Sequence, residues 1–145
     1  MPAKPYAKIF QRPGPGIEKL LGELELAIMH VAWRRETMTV REMLGALKRE
    51  RPLAYTTVMT VMARLAKKGL LVAEKRGKTY VYRAAQTRAE LERQFAGNVV
   101  HSLIGDFGGE VALSQFVKEL SETHPDQLAR LAELARLAQV ANNEK

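Results

Sequence analysis

Residues 55 to 69 read YTTVMTVMARLAKKG, and wound on an α-helix these letters fall onto two opposed faces. Val58, Val61, Met62 and Leu65 follow the i, i+3, i+4, i+7 spacing of an apolar stripe that has to pack against other elements. Thr56, Thr60, Ala63, Arg64 and Lys67 lie about half a turn away and form a stripe that is short, polar and cationic, with no acid on it. A helix that needed only solvation would mix Glu with Lys, because opposite charges one turn apart stabilise it by about 0.2–0.5 kcal/mol per pair. One face therefore needs a core, and a close-fitting anion is a candidate partner for the other.

The flanking sequence supplies that core. In LGELELAIMHVAWRR, Leu24, Ile28, Val31 and Ala32 share a stripe, predicting a first helix from about Glu23 to Arg35 with Trp33 as a core anchor near its end. Met38-Thr39 suits a very short strand, and Thr39 followed three residues later by Glu42 is the capping-box spacing for a second helix, Val40 to Glu50, stopped by Pro52. The quoted helix is third, from about Ala54 to a left-handed cap at Gly69. LLVAEKR and TYVYRA then alternate apolar and polar residues around Gly77-Lys78, the pattern of a β-hairpin with a basic tip of Lys75, Arg76 and Lys78. Helix, short strand, helix, helix, hairpin is the order of a winged helix-turn-helix. The predicted class is mostly α with a small β-hairpin.

Beyond residue 85 the reading is purely helical. Thr87 and Glu90 have capping-box spacing for a long helix from Arg88 to Ile104, broken by Gly105 to Gly109. A helix near Ala112 to Glu122 carries Leu113, Phe116, Val117 and Leu120 on one face, and Pro125 starts a last helix to about Asn142. The domains expected are a Pro-rich, extended and mobile arm over 1–16, a winged-helix DNA-binding domain over 17–85, and a helical dimerisation region over 86–145. Charge divides the same way: residues 1–85 hold 17 Lys/Arg against 7 Asp/Glu, and residues 86–145 hold 6 against 9. The apolar surface of Leu103, Ile104, Phe107, Val111, Phe116 and Leu120 is too large for an acidic helical tail to bury alone, which points to a second copy.

With no cysteine there is no disulfide, thiolate metal ligand or cysteine nucleophile. No run of about 18 apolar residues spans a bilayer and the N-terminal stretch lacks a signal-peptide core, so a soluble cytoplasmic protein without membrane association is expected. His30, His101 and His124 lie far apart without a metalloprotease motif, a P-loop or a nucleophile elbow nearby, so no catalytic residues, metal or cofactor are expected. In a winged helix the third helix can enter the major groove of double-stranded DNA, its short Thr side chains letting the backbone approach the groove floor. The candidate DNA-binding residues are Tyr55, Thr56, Thr57, Thr60, Arg64 and Lys67 on the helix, with Arg76 and Lys78 on the wing. Arg41, Lys48, Arg49 and Arg51 extend the cationic stripe expected of phosphate binding. The alternative is a protein-interaction module whose basic face serves only solubility.

The runs LGELELAIMHVAW, TVREMLGAL, LAYTTVMTVMARLAKKGLL and EKRGKTYVYRA together resemble the penicillinase-repressor family of BlaI, MecI and CopY over about residues 20 to 122. The resemblance implies a homodimeric repressor on a palindromic operator, often of β-lactamase or copper-homeostasis genes. It makes the helix with Thr56, Thr57, Thr60 and Arg64 the recognition helix, Arg76 and Lys78 wing contacts, and Leu91 to Leu120 the dimerisation segment. In β-lactam-responsive members an inducing protease leads to cleavage between Asn and Phe in this region; the counterpart here is Asp106-Phe107. Copper-responsive members carry a C-terminal cysteine motif that this chain lacks. The arm and the last helix fall outside the resemblance, and a minor-groove contact and a dimer brace are the roles expected of them.

Overall fold

The computed structural model describes residues 16–48 and 52–145. Most of the arm expected over 1–16 lies outside them, as do Arg49 and Arg51 of the cationic stripe and the expected end of the second helix at Glu50.

A short 3-10 turn, Gly16–Lys19, seats the fully buried Ile17 and leads into α1, Glu23–Arg34. The Gly22 amide donates to Glu25 Oε1 at 3.3 Å, closing the first turn of α1. Met38 exchanges both backbone hydrogen bonds with Tyr82, at 2.7 and 2.8 Å, so the expected short strand is a single bridging residue. α2 runs Val40–Leu47. At its start the Thr39 hydroxyl accepts from the Glu42 amide at 3.1 Å while the Glu42 carboxylate accepts from the Thr39 amide at 3.2 Å. Thr39→Ala removes half of this reciprocal cap and is expected to cost about 1 kcal/mol, measurable as a lowered thermal midpoint. An unchanged midpoint would mean that the cap contributes nothing to the fold.

α3, Tyr55–Lys67, is followed by Gly69 at φ +82. Leu70 N donates to Leu65 O at 2.9 Å and Gly69 N to Ala66 O at 3.0 Å, the paired bonds of a Schellman closure. The chain passes at once into β1, Leu71–Arg76, antiparallel to β2, Thr79–Ala84, with Arg76 opposite Thr79 across the two-residue loop Gly77-Lys78. Gly77 takes φ +64 and no other loop residue is positive, as a type II′ turn requires. Val58, Met62 and Leu65 of α3 pack with Ile28 and Met29 of α1, Met43 of α2 and Leu71 of β1 in one apolar core. This is the predicted winged helix.

Three expectations need correction. Trp33 is only partly buried, at the rim of the core, with its ring near His30 and Arg88. Helical spacing identifies a residue's face but not how far the neighbouring elements close over it. The first compact unit continues past Ala85 to Gly97, because Leu91 is buried in the core and Arg88 lies 3.8 Å from Glu18. Finally, α4 runs Arg88–Phe107, passing through Gly105, and α5 begins at Gly109 and ends at Thr123. A glycine inside a helix costs only about 1 kcal/mol relative to alanine, which a long helix absorbs. The break is confined to Gly108, whose φ of +85 is left-handed.

The second unit comprises residues 98–145: the end of α4, α5, and α6, Asp126–Asn143. Among its residues only Ala112 is buried. Ile104, Phe107, Val111, Leu113, Phe116 and Val117 are exposed, with Leu103 and Leu120 half-buried.

Candidate nucleic-acid interface

The buried stripe of α3 fixes the helix rotation and so decides what faces outward. Val58, Val61, Met62 and Leu65 are in the core, while Tyr55, Thr56, Thr57, Thr60, Arg64 and Lys67 are all exposed. No acidic residue lies within α3, and no side chain caps its N-terminus. A carboxylate from α1 does approach: Glu25 meets Lys68 Nζ at 2.9 Å, where the helix ends. Burial alone would raise the Glu25 pKa. The hydrogen bonds from Lys68 and the Gly22 amide, together with the charges of Lys68 and Arg64, outweigh it and hold the carboxyl below its ordinary value. That pair ties the end of α3 to α1 without occupying the outward face.

The wing lies beside the start of this helix. A concavity of about 590 Å³ is lined by Thr39, Val40 and Arg41 from α2 and its cap, Tyr55 and Met59 from α3, and Lys78, Thr79, Tyr80 and Tyr82 from the wing. Burial pushes the Tyr82 phenol above its ordinary pKa, with further contributions from Tyr80 and Tyr55, so it stays a neutral hydroxyl at physiological pH. Of the residues singled out in the sequence for DNA contact, Tyr55 and Lys78 meet at this concavity together with Arg41 of the cationic stripe. Arg64 and Lys67 line no part of it and follow in the later turns of the same helix.

The two wing cations differ. Arg76 lies 3.8 Å from Glu74, which also pairs with Arg83 at 3.3 Å. Among the described residues neither Lys75 nor Lys78 has such an acid. Met59 and Tyr80, at 42% and 51% exposure, belong to the same face and were missed. Their signal was present: Met59 lies one turn after Tyr55, and Tyr80 shares a strand face with Tyr82.

The arrangement offers short hydroxyls and a methyl-bearing helix face flanked by cations, a combination able to approach base edges while the cations meet phosphates. No cluster of three or more potential metal-binding side chains exists among the described residues, and no helix there is long and apolar enough to cross a membrane.

A family model described as penicillinase repressor matches residues 21–136. The transcriptional regulator BlaI of Mycobacterium tuberculosis is 43% identical over 119 residues, covering 79% of this chain and 84% of that protein. The penicillinase repressor of Bacillus licheniformis is 31% identical over 62 residues, covering 43% of this chain and 48% of its own. Among solved structures, the B. licheniformis BlaI monomeric form in complex with the blaP half-operator aligns with a TM-score of 0.42 and 27% identity, over 48% of this chain and 85% of that one.

Proposed function

Because the chain belongs to the penicillinase repressor family, we propose that it is a transcriptional repressor that reads double-stranded operator DNA with α3 and grips the backbone with its wing. The carrying observation is the outward face of α3, cationic and acid-free along its length, beside the lysines of the wing. Thr56, Thr57 and Thr60 face base edges, and Arg64, Lys67 and Lys78 face phosphates. Arg76, shared with Glu74, contributes less than Lys78. The exposed apolar face of the second unit joins two copies into a homodimer, so that two winged helices occupy two half-sites of a palindrome. Such a protein works in the cytoplasm, where chromosomal DNA is. β-lactam resistance or stress genes are the targets that fit the family.

Cleavage at Asp106-Phe107 by an inducing protease would separate most of that apolar face from the DNA-binding unit. The bond lies in the last turn of α4, so that turn has to unwind first, and the left-handed Gly108 at its end lowers the number of helical bonds to be broken.

Fluorescence anisotropy with operator DNA across a salt series tests the DNA reading. Removing one cation that neutralises a phosphate should flatten the slope of log K against log salt by about 0.9. Arg64→Ala and Lys78→Ala are each expected to show this, and Arg76→Ala to show less of it. Binding without salt dependence in the wild type would return the chain to the protein-interaction alternative. Thr60→Ala separates recognition from affinity: selection of binding sites from random DNA is expected to show relaxed preference at one base pair, worth about 1–3 kcal/mol. Uniform weakening across all sequences would instead put Thr60 on the backbone.

A further inference from the structure

Away from the α3–wing face, the first unit has a second cleft, of about 480 Å³, between α1, α2 and the first turn of α4. His30, Trp33, Arg34 and Arg88 supply its larger side chains, while Ala27 and Ala46 leave it room. Its volume falls in the range of about 300–1,000 Å³ typical of small-molecule sites.

The cleft is rich in hydrogen-bond donors, and no carboxylate lines it. The Arg88 guanidinium lies 5.7 Å from the centroid of the Trp33 ring, and its Nη1 is 3.5 Å from His30 Nε2. The His30 and Trp33 rings stand 5.9 Å apart. Arg34 gives its Nε to the His30 carbonyl at 3.1 Å, and among the described residues its terminal nitrogens have no acceptor. Trp33 Nε1 is buried and likewise has no partner among the described residues. Buried donors left in this condition are costly and uncommon in native proteins. Arg88 does have acids, Glu92 at 3.1 Å and Glu18 at 3.8 Å, but both lie outside the cleft lining.

We propose that this cleft binds a small aromatic carboxylate, its ring against Trp33 and its carboxylate across the Arg34 and Arg88 guanidiniums. Both guanidiniums line the cleft and no carboxylate does, so an anion there meets donors of matching sign, and the indole beside them offers an apolar neighbour to a flat ring. Arg88 also opens α4 and pairs with Glu18, so a ligand that engages its guanidinium competes with a tie between the start of α4 and the turn before α1, both within the first unit.

Trp33 is the only tryptophan, so the single indole N–H resonance of the nitrogen-labelled full-length protein reports on this cleft alone. Titration with naphthoate is expected to shift that resonance saturably, with a dissociation constant of about 1 mM or tighter. The neutral amide of the same ring, and naphthoate with the Arg34→Gln or Arg88→Gln protein, are each expected to bind at least about tenfold more weakly. Should Arg88→Gln fail to fold, the exposed Arg34→Gln and the amide comparison decide. No saturable shift with naphthoate, or equal affinity for the amide, overturns the proposal.

Discussion

Replacing Phe116 by Asp is expected to leave a monomer at low micromolar concentration, with operator affinity lowered about 100-fold or more. Phe116 is half exposed on α5, in line with Leu113 and Val117, in a unit that buries only one of its own described residues. A second copy covering this face would desolvate position 116, and an unpaired charge held there costs about 3–5 kcal/mol. The weaker binding follows from linkage. In a dimer the second half-site is engaged in an effectively intramolecular step, and a dissociated winged helix forgoes that advantage although its own DNA-binding face is intact. Sedimentation and operator titration measure the two effects separately. A variant that stays dimeric with intact affinity would move the interface to the other exposed apolar set, Leu134, Leu137 and Val140 of α6.

Leu65→Ala acts on the opposite side of the proposed recognition helix. Leu65 is fully buried where α3 meets α1 and β1, so its truncation is expected to cost about 2–5 kcal/mol of unfolding free energy. That is a large share of the roughly 5–15 kcal/mol that holds a typical domain together. The outward residues Thr60 and Arg64 are untouched, and alanine keeps the backbone carbonyl that accepts from Leu70. The fraction that remains folded should therefore bind DNA as before, while the denaturation midpoint falls with an unchanged denaturant slope. A change under about 1 kcal/mol would mean that the cavity collapses easily and that the stripe is less tightly packed than its burial implies.

Where the sequence was legible, the information was local. The two stripes of α3 follow from spacing alone, and the residues assigned to them, from Thr56 to Lys67, fall where expected. The capping boxes at Thr39 and Thr87 formed because each needs only its own four residues. The segment GDFGG was harder: three glycines permit a break at three places, and nothing local says which one adopts the left-handed conformation. The depth of Trp33 depends on α4, more than fifty residues away in the chain, and helical spacing does not carry that information. Arg76 looked like a free cation until strand geometry put Glu74, two residues earlier, on its own face. Local spacing puts Met59 in line with Tyr55 and Tyr80 with Tyr82, but the concavity the four share is assembled from three elements and has no local signature.

The Schellman closure at Gly69 leaves no linker between α3 and β1: Leu70, already buried, is followed directly by the first residue of the strand. Helix and wing consequently cannot adjust their spacing independently, and the span between them behaves as a fixed gauge. If α3 reads the groove and the wing the backbone, as proposed, a duplex that presents them at another distance has to be bent or twisted to fit, at an energy set by how easily its base steps deform. Base pairs that no side chain touches would then still rank one operator above another, with flexible pyrimidine–purine steps favoured wherever the gauge demands a kink.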